Sequence, residues 1–326
     1  MKSSNPKPQI NADKRRSAFV GVHLRFHCFY NEDVDGILVV DKPEGITSHD
    51  VVNRIRRLTG IQRVGHLGTL DPIATGVLPM ALGRATRLAQ FFLHRDKTYE
   101  AVIRFGLATD TYDREGEPLG PEVPVRLDRN ELETMIAGYR GEFEQAPPPI
   151  SAKKVHGVAA YKLARKNRPV ELAPVRVRVD EFVLLEVDGP RARVHVRCSA
   201  GAYLRALAHE MGQKLGVGAH VESLRRLAAG EFTLEMARTL EEIEMLCREN
   251  RLPEALLPPA SLLPEAPLEH VDAVTAAQIL HGRDFRVSPF RVRSGSRLVK
   301  AIDSQGRLLA IGEIRLPNLY HPIVVL

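Results

Sequence analysis

Tryptophan is missing from this 326-residue chain, and aromatic residues make up only 6% of it. So few rings argue against a broad stacking platform for single-stranded nucleic acid, which needs successive aromatic faces. Cysteine is scarcer still. Cys28, Cys198 and Cys247 lie far apart with no CxxC pair, which argues against a disulfide framework or a zinc site and fits a reducing, cytoplasmic setting. No two histidines have convincing metal spacing, and no metal is expected. No apolar run approaches the roughly 20 residues that span a bilayer. Lys14-Arg15-Arg16 and the apolar stretch after it do not make an export signal, because His23, Arg25 and His27 interrupt at once. Neither a Walker nor a Rossmann glycine pattern is present, which argues against a nucleotide-dependent small-molecule enzyme.

What the chain does have is positive charge and pattern. The net charge is +6 and the pI about 9.3, a balance that favours a polyanionic partner. With 44% hydrophobic and 26% charged residues the composition is that of a soluble globular protein, and the length suggests about two domains. Residues 1–34 show no clear period and read as a flexible extension. An RNA-touching arm, an idle extension and a start codon placed too far upstream all fit it. A main body is expected over 35–252, a proline-rich linker over 253–267 and a small β-rich domain over 268–326.

Within the main body, Gly36-Ile37-Leu38-Val39-Val40 reads as a strand. Thr47 or Ser48 then caps a helix with Val51, Val52, Ile55 and Leu58 on its apolar face and Gly60 at its end. Val77 to Leu82 reads as a strand and Ala85 to Phe92 as a helix. Lys97 to Phe105 alternates, with Tyr99, Ala101, Ile103 and Phe105 on one face. Asp128 caps a further helix. Residues 145–174, rich in proline and in Lys153, Lys154, Lys162, Arg165, Lys166 and Arg168, read as a long basic loop. Strands follow over Arg176 to Val187 and Arg191 to Cys198, then a helix with Leu204, Leu207, Ala208, Met211 and Leu215 inward. Tyr203 and Arg205 share a face only if the backbone is still extended there, which pushes the helix start a few residues past Leu204. In the last part, Leu298 to Ile302 and Leu308 to Ile314 flank Ser304-Gln305-Gly306 as a β-hairpin.

The most informative run is Gly65-His66-Leu67-Gly68-Thr69-Leu70-Asp71-Pro72-Ile73-Ala74-Thr75-Gly76-Val77-Leu78-Pro79. It sets one carboxylate, Asp71, among three glycines and two prolines. Glycine permits tight turns and close approach, and Pro72 holds Asp71 out of the helical region. A stiff loop presenting one acid is expected. On pattern alone Tyr99 is a ring on an apolar strand face, His66 a loop histidine and Leu224 a core residue. Arg205, in a first helical turn, opposes the helix dipole and asks for an anion nearby.

This run resembles, nearly residue for residue, the G-H-x-G-x-L-D-P-x-A-T-G-x-L-P catalytic loop of the TruB family of tRNA pseudouridine synthases. Lys42-Pro43-Glu44-Gly45-Ile46-Thr47-Ser48 matches that family's first motif in its bacterial, stand-alone form, and Ser199-Ala200-Gly201-Ala202-Tyr203-Leu204-Arg205 matches S-x-G-x-Y-x-R. The resemblance covers roughly residues 36–250. It implies an α+β pseudouridine synthase fold: a mixed, mostly antiparallel central sheet with flanking helices and an inserted thumb at 145–174, followed by a PUA-like RNA-binding domain. The implied reaction turns uridine into pseudouridine at position 55 in the TΨC loop of tRNAs, read by loop shape. No redox change occurs, so no cofactor is implied, nor an obligatory protein partner; a monomer acting on the T-arm stem-loop is expected.

By the same resemblance Asp71 is catalytic, acting as a nucleophile or removing a ribose proton. Tyr99 stacks on the flipped uracil, Arg205 pairs with Asp71 and keeps it ionised and fixed, Tyr203 lies beside them, and Leu224 walls the pocket. His66 fills the gap left by the flipped base. Lys42, Lys153, Lys154 and the Arg225-Arg226 pair are expected among the RNA contacts. Ile150-Ser151-Ala152 stands where the family often has tyrosine before Ser-Ala, so one thumb contact is expected to differ. Two rival readings are a guide-RNA-dependent synthase subunit and a tRNA-folding factor whose binding matters more than catalysis.

Overall fold

The computed structural model describes residues 34–149, 154–155, 158–159, 173–288 and 296–326. The N-terminal extension, Lys153 and most of the basic segment 145–174 lie outside the described residues.

The chain opens with β1 (Gly36–Lys42), α1 (Ser48–Thr59), β2 (Val64–His66) and β3 (Ala74–Leu82). β4 (Lys97–Phe105), α2 (Arg129–Ala137) and β5 (Gly141–Gln145) follow. A two-residue pair, β6 (Lys154–Val155) and β7 (Val158–Ala159), precedes the long β8 (Val175–Asp188) and β9 (Arg191–Cys198). Then come α3 (Leu204–Lys214), β10 (Ala219–Ala229), β11 (Phe232–Thr233), α4 (Leu240–Arg248) and β12 (Leu256–Leu257). The last part holds β13 (Leu268–His270), α5 (Ala273–Leu280), β14 (Phe285–Arg286), β15 (Leu298–Ile302), β16 (Leu308–Leu316) and β17 (Leu319–Val325).

A central sheet runs β12-β1-β3-β10-β4-β9-β8-β5, with β2 beside β3 and β11 beside β10. Among its described pairs only β3 and β10 run parallel. β1 is apolar from Ile37 to Val40 because both its faces are covered there: Leu38 and Val40 belong to the core that also takes in residues of α1, α2, α3 and α4, while Ile37 and Val39 pack towards the C-terminal sheet. That second sheet runs β13-β15-β16-β17-β14. No described helix is long and apolar enough to cross a membrane.

Most local expectations hold, and the departures have physical causes. Thr47 caps α1 in a reciprocal box with Asp50, and Gly60 ends it at φ +76°. β3 starts three residues earlier than hydropathy indicates, since Ala74, Thr75 and Gly76 pair with Leu224, Arg225 and Arg226. The helix expected over Ala85 to Phe92 is present as a 3₁₀ helix, Gly83–Phe91; the Thr86 hydroxyl donates to the Gly83 carbonyl, competing with the i→i+4 ladder. α3 begins at Leu204 after all, with Tyr203 still extended as its N-cap. The proline-rich segment 253–267 is packed: β12 pairs with β1, and Leu262, Leu263 and Ala266 are buried.

Gly76 is needed where β3 meets β10. Its φ is +98°, and a Cβ there would lie 2.2 Å from the Arg226 carbonyl oxygen. Gly76→Ala is therefore expected to destabilise the fold by about 3 kcal/mol or more, from overpacking plus left-handed strain. Urea unfolding measures it; a loss under about 1 kcal/mol would show that the sheet can spread at this point.

Candidate active site

Residues 67–74 join β2 to β3, and most of the carbonyls in them are bonded, as are the N–H groups of Leu67, Leu70 and Ala74. The Leu67 N–H donates to the Pro79 carbonyl at 2.9 Å. Arg226 donates through Nη2 to Gly68 O at 3.1 Å and through Nη1 to Thr69 O at 3.2 Å. The Ser48 hydroxyl accepts from the Leu70 N–H at 2.8 Å and donates back to the Leu70 carbonyl at 3.0 Å. The Ala74 N–H meets the Asp71 carbonyl at 3.1 Å, and the Gly45 N–H meets that of Pro72 at 2.9 Å. Lys42 Nζ donates to the carbonyls of Pro43, Pro72 and Ala74 at 2.8, 3.1 and 2.7 Å. The loop is stiff because these donors come from α1, β1 and β10, elements already fixed in the sheet.

The Asp71 side chain, 34% exposed, points out of this frame. Arg205, on the first turn of α3, brings Nε to 2.9 Å from Asp71 Oδ2. Its Nη1 lies 3.2 Å from Asp113 Oδ2 and donates to the Thr111 carbonyl at 2.9 Å. Arg205 and Asp113 are 5% and 6% exposed, so this pair is out of water. Asp113 is itself held by the Thr111 hydroxyl at 2.6 Å and the Glu115 N–H at 3.1 Å. Two carboxylates thus offset a cation that sits at the unfavourable end of its helix dipole.

Asp71 opens into a cleft of about 570 Å³ lined also by Tyr99, Lys97, Tyr203, Arg205 and Leu224. The structure brings these together as the sequence implies, from a loop, β4, α3 and β10. Tyr99 is half-buried; burial pushes its phenol up, and the adjacent Arg226 guanidinium pulls the other way. Burial pushes the Lys97 ammonium down to about 8, with Arg226 adding to the fall, and Lys97 Nζ donates to the Leu93 carbonyl at 2.8 Å and to that of Arg95. Gln145, fully buried, grips the N-cap of α3 by accepting from the Tyr203 N–H at 2.8 Å and donating to its carbonyl at 3.0 Å.

His66 is not among the residues lining the cleft. It ends β2 opposite Met80, half-buried, and burial, Arg226 and His49 push its pKa down, so its ring is neutral at pH 7. Lys42 corrects the sequence reading. Expected among the RNA contacts, its side chain is 0% exposed and spent on three carbonyls around the Asp71 loop. Arg226 is likewise buried, whereas Arg225 pairs with Asp41 at 2.8 Å. Lys153 lies outside the described residues, and Lys154 is described only as the backbone of β6 opposite Ala159. Ser48 reads from sequence only as a candidate helix cap inside a matched motif, and Asp113 and Gln145 are not picked out; of these two only Asp113 has a local signal, the short hydrogen-bonding side chains of Thr109, Asp110 and Thr111 before it.

Burial pushes the Lys42 ammonium down to about 8 from the ordinary 10.5. Between those values the unfolded chain keeps a proton that the folded chain has lost, so unfolding free energy rises with pH across that window. Lys42→Met is expected to cost about 2–4 kcal/mol at pH 7 through the abandoned carbonyls. The parent's advantage over it should widen from pH 8 to 10.5, since Lys97 is common to both proteins. Urea unfolding at pH 7 and pH 10 tests this; a constant gap would show that the amine keeps its proton.

The model of the TruB family pseudouridylate synthase N-terminal domain matches residues 56–204, and that of the tRNA pseudouridylate synthase B C-terminal domain matches 205–264. A tRNA pseudouridine synthase B of Solibacter usitatus is 56% identical over 293 residues, covering 90% of this chain and 100% of that protein. The chain belongs to the TruB family of pseudouridylate synthases. Another TruB relative, the tRNA pseudouridine synthase B of Stutzerimonas stutzeri, is 42% identical over 86% of this chain and 92% of its own length. Among solved structures, a Cbf5-Nop10-Gar1 complex contains a chain matching at a TM-score of 0.66 and 26% identity, over 88% of this TruB chain and 83% of its own. An archaeal box H/ACA sRNP Nop10-Cbf5 complex gives 0.63 and 25%, over 89% and 85%. The likeness supports the α+β pseudouridine synthase fold for this TruB chain.

Proposed function

We propose that this protein isomerises uridine to pseudouridine in tRNA, at position 55 of the TΨC loop, as a stand-alone cytoplasmic monomer. The supporting observation is the ionic chain Asp71–Arg205–Asp113 at the floor of a cleft that also holds Tyr99 and Leu224. That arrangement supplies one fixed carboxylate beside a ring able to stack on a base taken out of its loop.

The reaction breaks the bond from N1 of uracil to the ribose, turns the base and joins its C5 to the same carbon; the C5 proton leaves and N1 gains one. Asp71 starts it by attacking the sugar or by taking the C2′ proton. A substrate deuterated at C2′ distinguishes these, since a primary isotope effect belongs to proton abstraction alone. Tyr99, which lines the cleft with Leu224, holds the base away from water, and its phenol helps remove the C5 proton. Tyr203 borders the sugar side of the cleft. In this reading residues 35–252 form the catalytic domain, 253–267 a packed connection and 268–326 a PUA-like RNA-binding domain. His66 fills the space the base leaves, and the basic thumb holds the T-arm.

The test is tritium release from C5-labelled uridine in an isolated T-arm stem-loop with purified protein and no guide RNA. Release is expected. Tight binding without release would overturn the stand-alone enzyme in favour of a guide-dependent subunit or a folding factor.

A further inference from the structure

Arg226 is the bulkiest of the fully buried side chains among the described residues, at 1% exposure, and no described carboxylate lies within ion-pair distance of it. Backbone carbonyls hold it instead: Nε donates to Val77 O at 2.7 Å, Nη1 to Thr69 O at 3.2 Å and Nη2 to Gly68 O at 3.1 Å. The guanidinium stands beside the Tyr99 side chain and draws the pKa of its phenol down against the push of burial, and Tyr99 is its direct partner across the β4–β10 ladder. The pairing then skips Leu227, a bulge of the kind that re-aims a neighbouring side chain. A buried cation without a carboxylate partner is a poor device for stability, because an apolar residue of similar volume usually serves as well or better. Its charge reaches Lys42, Lys97 and His66, lowering the pKa of each.

We propose that Arg226 is a positioning residue for the reaction: one guanidinium holds the carbonyls ahead of Asp71 and backs the side chain of its cross-strand partner Tyr99, so that carboxylate and ring meet the substrate as a single rigid unit. The planar fork is what the role requires. A lysine ammonium gathers its donors at one point, whereas the guanidinium's Nε, Nη1 and Nη2 reach the Val77, Thr69 and Gly68 carbonyls from three separate positions beside the ring. The identity of the reaction rests on the proposed function; the joint itself rests on this chain's geometry.

The test compares Arg226→Lys with the parent, each with and without Tyr99→Phe, in single-turnover conversion of the T-arm stem-loop. Stem-loop affinity and the unfolding midpoint are read alongside. Arg226→Lys is expected to fold and to bind RNA within about threefold of the parent. It should convert about 100-fold more slowly, the scale set by a 1 Å misplacement of reacting groups. Because Arg226 acts partly through Tyr99, the two losses should combine to less than their product. Conversion within about threefold of the parent, multiplicative losses, or a rate loss matched by lost affinity would each overturn the proposal.

Amide hydrogen exchange separates this outcome from failure of the functional reading. Exchange over residues 67–71 should speed at least tenfold in Arg226→Lys, with distant strands unchanged, whether or not the parent converts the stem-loop. Unchanged exchange there overturns the inference even if the parent is active. Arg226→Gln, which keeps an amide donor, carries the same measurements if the lysine variant does not fold.

Discussion

Asp71→Asn is expected to abolish pseudouridine formation, by on the order of 10⁴-fold or more in single-turnover rate, while T-arm binding and the unfolding midpoint stay near those of the parent. A loss of that size corresponds to about 5 kcal/mol of transition-state stabilisation, the scale of removing an essential nucleophile or base. The fold should survive because Asp71 supports none of its own loop through its side chain. Arg226, Ser48 and Lys42 hold the backbone around it, and Arg205 keeps Asp113 and the Thr111 carbonyl. Asparagine is close in size and still offers Arg205 an oxygen. What it lacks is charge and basicity, which both chemical routes need. Residual conversion above about 1% of the parent would remove Asp71 from the centre of the reaction.

Arg205→Met should cost about 3–5 kcal/mol of stability, the usual price of stranding one member of a buried ion pair. The stranded group is Asp113, at 6% side-chain exposure. Conversion should fall on the order of 10³-fold, since Asp71 loses the partner that fixes it. Asp113→Asn added to Arg205→Met should recover part of the stability and none of the activity. The non-additive double mutant then separates a charge stranded in the core from a carboxylate set loose in the cleft. Equal stabilities for the single and double variants would show that Asp113 finds water or another partner once Arg205 is gone.

The Asp71 loop was legible because its constraints are local: Gly68, Pro72 and Gly76 mark a turning, stiff backbone within one short run. Tyr99 was legible because strand alternation fixes its face. What holds these groups was not legible. Lys42 lies 29 residues before Asp71 in the chain, and a lysine in a motif reads as a surface cation because few lysines are buried. Only the three carbonyls it meets, set by the register of β1 and β3, reveal otherwise. Asp113 and Gln145 act through tertiary contacts across 92 and 58 residues, to Arg205 and Tyr203, and such separations leave no period. The stretch Gly83–Phe91 was legible as a helix but not in its type, because an apolar stripe does not distinguish two helix types when a hydroxyl takes a turn's carbonyl.

The bonded backbone of residues 67–74 determines where the ordering cost of binding falls. A segment whose carbonyls are mostly held by side chains and strands already fixed in the sheet loses little freedom when the substrate arrives. In the proposed reaction the work of rearrangement then falls on the RNA, which must unstack a base and carry it to a surface that does not yield. Substrate choice becomes a matter of mechanical compliance. Among loops of similar shape, those whose target base is most weakly stacked should be converted fastest, and stiffening the loop should slow the enzyme without changing a single contact to it.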